Sequence, residues 1–416
     1  MLSTFDFAAA LFVLAATIGV VNERYVGLPR PIALLLGALL ISVLIIAASS
    51  VLPLDLDHRA RLRLTHVDLP QVLLDGILAL LLFAACLHVD LHELRKRALP
   101  ILFLATVGVV LTTALFGAGI WGILQLAGVT VPLVWCLVLG AILAPTDAVA
   151  VDQLLHSVRM PDELRALISG ESLFNDGAAV VLFFAALAAA TGTPEAIGHG
   201  QIVFRLLVAC CGAAVVGLAT GFIAARAMRR TTDPAIAVTI SLALILTTYR
   251  IAVWLDLSGP VAVVVCGLVF YNLGTRRGET NPLRDQLKAF WTITDDLVNT
   301  LLFLIMGFEI LAIAFSATGW LPILAAIPLA LACRFASVAL PMLIEKAPAG
   351  GRWPAIGVLT WTGLRGGVSL ALVLALPEGP YRDVLSAVCY GVVIFTVVVQ
   401  GLSTPFIVRH LYRGRG

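Results

Sequence analysis

Apolar residues run along this chain in blocks of roughly 20, parted by short polar breaks. A helix needs about 20 such residues to cross a hydrocarbon core of about 30 Å. The pattern predicts spans near residues 7–22, 31–51, 70–89, 100–123, 131–152, 164–190, 202–226, 233–254, 257–273, 291–315, 320–344, 354–376 and 385–408, about 13 crossings. The runs are rich in Ala, Leu and Gly and lack the period-2 alternation of an outer-membrane barrel. The expected fold is therefore an all-α polytopic membrane protein.

Composition supports this reading. Of 416 residues 60% are hydrophobic and 12% charged, with a mean hydropathy of +1.03. No soluble core needs that much apolar surface. Charge adds an orientation, because Lys and Arg are held on the cytoplasmic side. With the N-terminus outside and the C-terminus cytoplasmic, 19 of the 27 basic residues fall in cytoplasmic breaks, including Arg95, Lys96 and Arg97, Arg226, Arg229 and Arg230, and Arg409, Arg413 and Arg415. The outer breaks hold or border Arg59, Arg61, Arg63, Arg205, Arg250 and Arg382, while Arg334 and Arg365 fall inside spans. The positive-inside bias accounts for the formal charge of +2, so the bilayer is the expected partner and no nucleic acid is implied.

The opening MLSTFDFAAALFVL lacks the basic n-region of a cleaved signal peptide and reads as the first span. The seven cysteines lie in apolar runs without metal-type spacing and read as small hydrophobes. No soluble regulatory domain and no cofactor are expected.

Polar groups at membrane depth are costly and by default mark a pathway or a pair. Three clusters stand out. In GAILAPTDAVAVDQLL, Pro145 removes a backbone donor in mid-span and is followed by Thr146 and Asp147. Unwound backbone is tolerated in a membrane only where it is buried in protein or lines water, so a broken helix presenting carbonyl, hydroxyl and carboxylate oxygens is expected. In SGESLFNDGAAVVLF, Glu171 and Asn175, and Ser172 and Asp176, are each four apart and share one broad helix face. In LTWTGLRGGVSLALVLAL, Arg365 precedes Gly366 and Gly367, which permit a second break.

Each cluster also has a purely structural reading. Pro145 could mark a simple kink, and a Glu171–Arg365 pair reads as fixing helix packing rather than as direct chemistry. Arg334 could bond free carbonyls or pair with Glu309. Glu309, with Asp295 and Asp296 near a span boundary, and Asp75 read as solvated or packing-related. Asp147 and Asp176 are harder to dismiss, since the buried cations are too few to neutralise every acid.

TDAVAV, GESLFNDGAAVVLF and GLRGGVSLALVLALP, in this order within some 13 spans, resemble the monovalent cation:proton antiporter-1 family, the NhaP-type sodium/proton antiporters. The likeness extends to NERYVGLPRPIALLLG, LLFAACLHVDL and FWTITDDLVNTLLFLIMGFEI. The resemblance implies a homodimer of inverted-repeat protomers with two broken helices, the fifth and twelfth spans, crossing at the midplane, a general design of secondary transporters. Repeat one would cover about 1–190, a linker helix about 200–228 and repeat two about 232–410. Core helices would lie at about 100–190 and 320–410, and dimerisation helices in the remainder. By motif match Asp176 would carry cation and proton, with Asn175 its electroneutral-branch neighbour. Asp147, Thr146 and Ser172 would join Asp176 as oxygen donors to the monovalent metal cation, and Glu171 and Arg365 would form a supporting ion pair. Two departures stand out: Ala148 replaces a Pro common in relatives, leaving Pro145 more of the unwinding, and LLFAACL lacks an acid that some relatives carry.

The chemistry can also be built from the residues. Desolvation drives a buried carboxylate toward its protonated form, while a dehydrated cation beside it favours the ionised one. One aspartate can thus hold a proton or a cation in alternation, and hard cations prefer oxygen donors. Asn175 hydrogen-bonds without titrating, so exchange at Asp176 alone would be electroneutral; proton release at Asp147 as well would make it electrogenic. The expected function is exchange of Na⁺ or Li⁺, with K⁺ a further candidate, for H⁺ across a bacterial-type plasma membrane, serving pH and sodium homeostasis. A passive cation channel and an intramembrane hydrolase using Asp147 and Asp176 as acid and base are the alternatives from other classes.

Overall fold

The computed structural model describes residues 4–51, 76–88, 97–147, 150–151, 154, 160–192, 199–274, 282–309, 319–344 and 351–412. Over these the chain is helical, with no strand among the described residues. Helices α1 (Thr4–Val21) and α2 (Arg30–Val51) are followed by α3 (Leu78–His88) and by α4 (Ala98–Leu126), which is interrupted by a π turn at Leu104–Gly108. Then come α5 (Leu133–Ile142), α6 (Asp162–Thr191), α7 (His199–Met228), α8 (Pro234–Trp254), α9 (Gly259–Gly274), α10 (Pro282–Glu309) and α11 (Trp320–Ile344). Two short helices, α12 (Arg352–Trp361) and α13 (Gly367–Leu374), precede α14 (Arg382–Tyr412), which contains a π turn at Thr396–Gln400. Among the described residues nine helices are long and apolar enough to cross a membrane, and α3, α5 and α9 are shorter apolar helices. The protein is an all-α, multi-pass membrane protein.

One boundary differs from expectation by more than the ragged end of a helix. The tenth span, expected over 291–315, starts at Pro282. Its first turns are amphipathic: Leu283, Leu287 and Trp291 recur every four residues and are buried, while Asp285 and Lys288 are exposed. A uniformly apolar window misses such a helix, whereas a 3.6-residue period finds it. Pro282 is tolerated there because a first-turn N–H has no intrahelical partner. The shift places Asp295 and Asp296 in mid-helix rather than near an end.

Close helix contacts rest on small residues. A Cβ at Gly217 of α7 would stand 2.9 Å from Val265 Cβ, and one at Gly221 would stand 2.8 Å from the Cys266 carbonyl oxygen of α9. This is the small-xxx-small spacing that lets membrane helices approach backbone to backbone. Likewise α2 lies against α10, where Ser42 Oγ donates to the Gly307 carbonyl at 3.0 Å. Trp291 locks α10 to its neighbours: its ring is fully buried, 4.9 Å from Phe83 of α3, and its N–H donates to Ser241 Oγ of α8 at 3.0 Å. Helices α4, α5, α6 and α11 to α14 pack mainly with one another, while α7, α8 and α9 pack together and α10 joins α2 and α3. The seven cysteines are unpaired, and five of them are buried.

Candidate functional site

The site forms where two helices stop inside the protein. Helix α5 ends at Ile142, ahead of Pro145, whose ring disfavours helical geometry in the residue before it. The chain then runs irregularly through Asp147. Asp147 Oδ1 accepts from the Ala150 N–H at 3.0 Å, the kind of bond a helix N-cap makes. The other break lies between α12 and α13, residues 362–366.

Three bonds stitch the two breaks together. The Asp147 N–H donates to the Leu364 carbonyl at 2.8 Å. Arg365 Nη1 donates to the carbonyls of Ala144 and Pro145 at 2.7 and 2.8 Å. Arg365 is 3% exposed, so these carbonyls, left without a helical N–H, are satisfied by a charged donor instead of water. Gly366 makes the crossing possible. A Cβ there would stand 2.6 Å from Asp147 Cγ, so the carboxylate lies directly against the Gly366 backbone. Gly367 opens α13 next to Leu302 of α10.

Helix α6 brings the second set of groups to this point. Ser172 Oγ and Thr146 Oγ1 are 2.9 Å apart and hydrogen-bonded, and Asn175 Nδ2 donates to Thr146 Oγ1 at 2.8 Å. Thr146, Ser172 and Asn175 are all buried. Two acceptors in the group, Asn175 Oδ1 and Asp176 Oδ1, are buried without a hydrogen-bond partner. Asp176 follows Asn175 on α6, and Asp147 follows Thr146, the residue that Asn175 bonds. Buried acceptors without donors are uncommon and mark places where a partner belongs. Hydroxyl, amide and carboxylate oxygens are the kinds of donor that a hard cation prefers.

The ion pair beside this set differs from expectation. Glu171 does not pair with Arg365. Both its carboxylate oxygens are taken by Arg334 of α11, one by Nη1 and the other by Nη2 at 2.9 Å, with the side chains 2% and 8% exposed. Arg334 Nε also donates to the Leu359 carbonyl at 3.2 Å, at the end of α12. The guanidinium fits because Gly363 has no side chain; a Cβ there would stand 2.8 Å from Arg334 Nε. The roles foreseen for the two arginines are thus exchanged: Arg365 is held by the freed carbonyls of the fifth span, and Arg334 neutralises the glutamate. The alternative partner of Arg334, Glu309, has a side chain outside the described residues, as does Asp75.

A family profile described as "Sodium/hydrogen exchanger, transmembrane" matches residues 10–410. The chain belongs to this exchanger family. It is 35% identical over 422 aligned residues to the Na(+)/H(+) antiporter NhaP of Pseudomonas aeruginosa, covering 99% of this chain and 97% of that one. It is 33% identical to the Na(+)/H(+) antiporter ApNhaP of Aphanothece halophytica over 84% of this chain and 66% of that protein. Its fold is similar to the sodium proton antiporter MjNhaP1 of Methanocaldococcus jannaschii, with a TM-score of 0.74 at 18% identity over 98% of both chains.

In this exchanger one further acid approaches the site. Asp295, read from the sequence as solvated or packing-related, is 7% exposed, accepts from Asn299 Nδ2 at 3.3 Å and interacts electrostatically with Asp147. The i, i+4 spacing of Asp295 and Asn299 was the available signal, hidden by the misplaced start of α10. Ser369 in α13 is fully buried, with a hydroxyl that has no partner.

Proposed function

We propose that this exchanger-family protein is a secondary antiporter that trades a monovalent cation, Na⁺ or Li⁺ with K⁺ as a further candidate, for H⁺ at Asp176. The observation that carries the reading is the pair of unpartnered buried acceptors, Asn175 Oδ1 and Asp176 Oδ1, beside the hydrogen-bonded Thr146, Ser172 and Asn175 group. A cation there would complete the coordination of Asp176; a proton would neutralise it instead. Both at once would leave a positive excess in a dry site, so the two ligands exclude each other and exchange follows. The antiporter names of the relatives agree with this chemistry.

Helices α4 to α6 and α11 to α14 would move as a core past a scaffold built from the other helices, in an elevator-type cycle, with a second copy completing a homodimeric scaffold. The protein would sit in the plasma membrane with its N-terminus outside and its C-terminus in the cytoplasm, serving pH and sodium homeostasis. Asn175 stands where a second acid would make the site doubly titrating, so one proton opposes one cation and the cycle is electroneutral. A second reading, electrogenic exchange, is favoured by the closeness of Asp147, which could release a proton of its own.

Asp176→Asn tests the assignment. The variant should fold and keep its oligomeric state by size-exclusion chromatography while losing cation-driven proton movement in liposomes. Retained exchange would overturn the role of Asp176.

A further inference from the structure

Helices α11, α12 and α14 enclose a small cavity beside the crossing, separate from the Asp147–Asp176 group. It is lined by Arg334, Thr360, Arg365, Thr396 and Gln400 among aliphatic and phenyl side chains, and has a volume of about 10 Å³. A single water needs roughly 10–15 Å³ by the same measure and two to four polar partners.

The polar groups around the cavity have bonds left over. Gln400 is 1% exposed. Its Nε2 donates to the Trp361 carbonyl at 3.1 Å, at the end of α12, while its Oε1 is buried without a partner. Thr360 Oγ1 is likewise buried and unpartnered. Arg365 spends only Nη1 on Ala144 and Pro145, and its backbone N–H donates to Thr396 Oγ1 at 3.2 Å. The Arg365 side chain lines the cavity.

These groups define the ligand. It must accept from a guanidinium and donate to the amide oxygen of Gln400. A halide or other simple anion cannot donate, and its charge would oppose Gln400 Oε1. A metal cation would face two arginines. Water meets both demands and fits the volume.

We propose that this cavity binds one ordered water that bridges Arg365 to Gln400 and Thr360, making these two residues positioning residues for the cation site. The link is mechanical. Arg365 fixes the Ala144 and Pro145 carbonyls, and these immediately precede Thr146 and Asp147 on the chain. A water that holds the guanidinium from behind sets where those oxygens stand. The π turn of α14 ends at Gln400, and such turns are often retained at functional places despite poorer geometry. The transport part of this proposal rests on the exchange reading above; the water itself does not.

The test uses crystals of the full-length protein grown in a lipid mesophase. A structure at about 2 Å, where ordered water is visible, should show density within hydrogen-bond reach of Gln400 Oε1, Thr360 Oγ1 and Arg365. Bromide in the buffer should give no anomalous peak there. Thr360→Val, which keeps the shape and removes the hydroxyl, should lose the water and raise the half-saturating cation concentration about two- to tenfold, the effect of one lost hydrogen bond, at unchanged maximal rate. Thr360→Ser should keep the water and wild-type kinetics. A dry cavity in the wild type, a bromide peak, or Thr360→Val with wild-type kinetics overturns the proposal. The wild-type density decides the water even if Thr360→Val does not fold. Absence of any exchange by the wild type would sink the transport reading while leaving the water to be decided by its density.

Discussion

Glu171 and Arg334 are 163 positions apart in sequence and form a doubly hydrogen-bonded pair inside the membrane region. Removing one partner of a buried pair costs about 3–5 kcal/mol because the other charge is stranded. Arg334→Ala should therefore lower thermal stability in detergent sharply. Arg365→Ala leaves Glu171 paired and should be the milder lesion in a melting experiment, with its larger effect on exchange, since the Ala144 and Pro145 carbonyls lose their donor. Equal melting temperatures for the two variants would contradict this division. Gly366→Ala should impair exchange strongly, because its Cβ would meet the Asp147 carboxyl group; Gly367→Ala meets only the movable end of Leu302 and should keep most of the rate. The four-residue spacing put Ser172, Asn175 and Asp176 on one helix face and Pro145 pointed to Thr146 and Asp147, so the contact of Thr146 with Ser172 and Asn175 joins two groups that were each legible in the sequence. The partner of Glu171 was not legible, because two arginines lie in mid-span and nothing local says which one faces it.

At the level of elements, apolar blocks located the helices well wherever a helix is apolar on all sides. The exception was α10, whose polar first turns hid its start at Pro282 and with it the depth of Asp295. Pro145 and the Gly366–Gly367 pair pointed to the two interruptions because each is a local backbone property. The contact of α7 with α9 depends on Gly217 and Gly221, which a sequence rich in glycine does not single out. Gly217→Leu should force these helices apart, lowering the melting temperature by several degrees, whereas Gly122→Leu, where a Cβ meets nothing within 4 Å, should melt like the wild type. Loss of stability in both would point to general intolerance of bulk and away from this contact.

For the whole molecule, the exposed apolar side chains of α7, among them Phe204, Val215, Leu218, Phe222 and Ile223, are what a lipid-facing or copy-facing helix requires. The two breaks and helix α6 bring oxygens together where water is scarce, two of those on α6 without a partner, and the arginines and glycines around the breaks hold that arrangement in place. The central claim is that these oxygens couple one cation to one proton. It is tested most directly with purified protein in sealed liposomes carrying a pH gradient, following proton movement on addition of Na⁺, Li⁺ or K⁺ with the membrane voltage either free or clamped by valinomycin and K⁺. Cation-triggered proton movement at a rate independent of voltage is the predicted result. A rate that follows the voltage would contradict one-for-one exchange and bring in Asp147 as a second carrier, and no proton movement with any cation would contradict antiport itself.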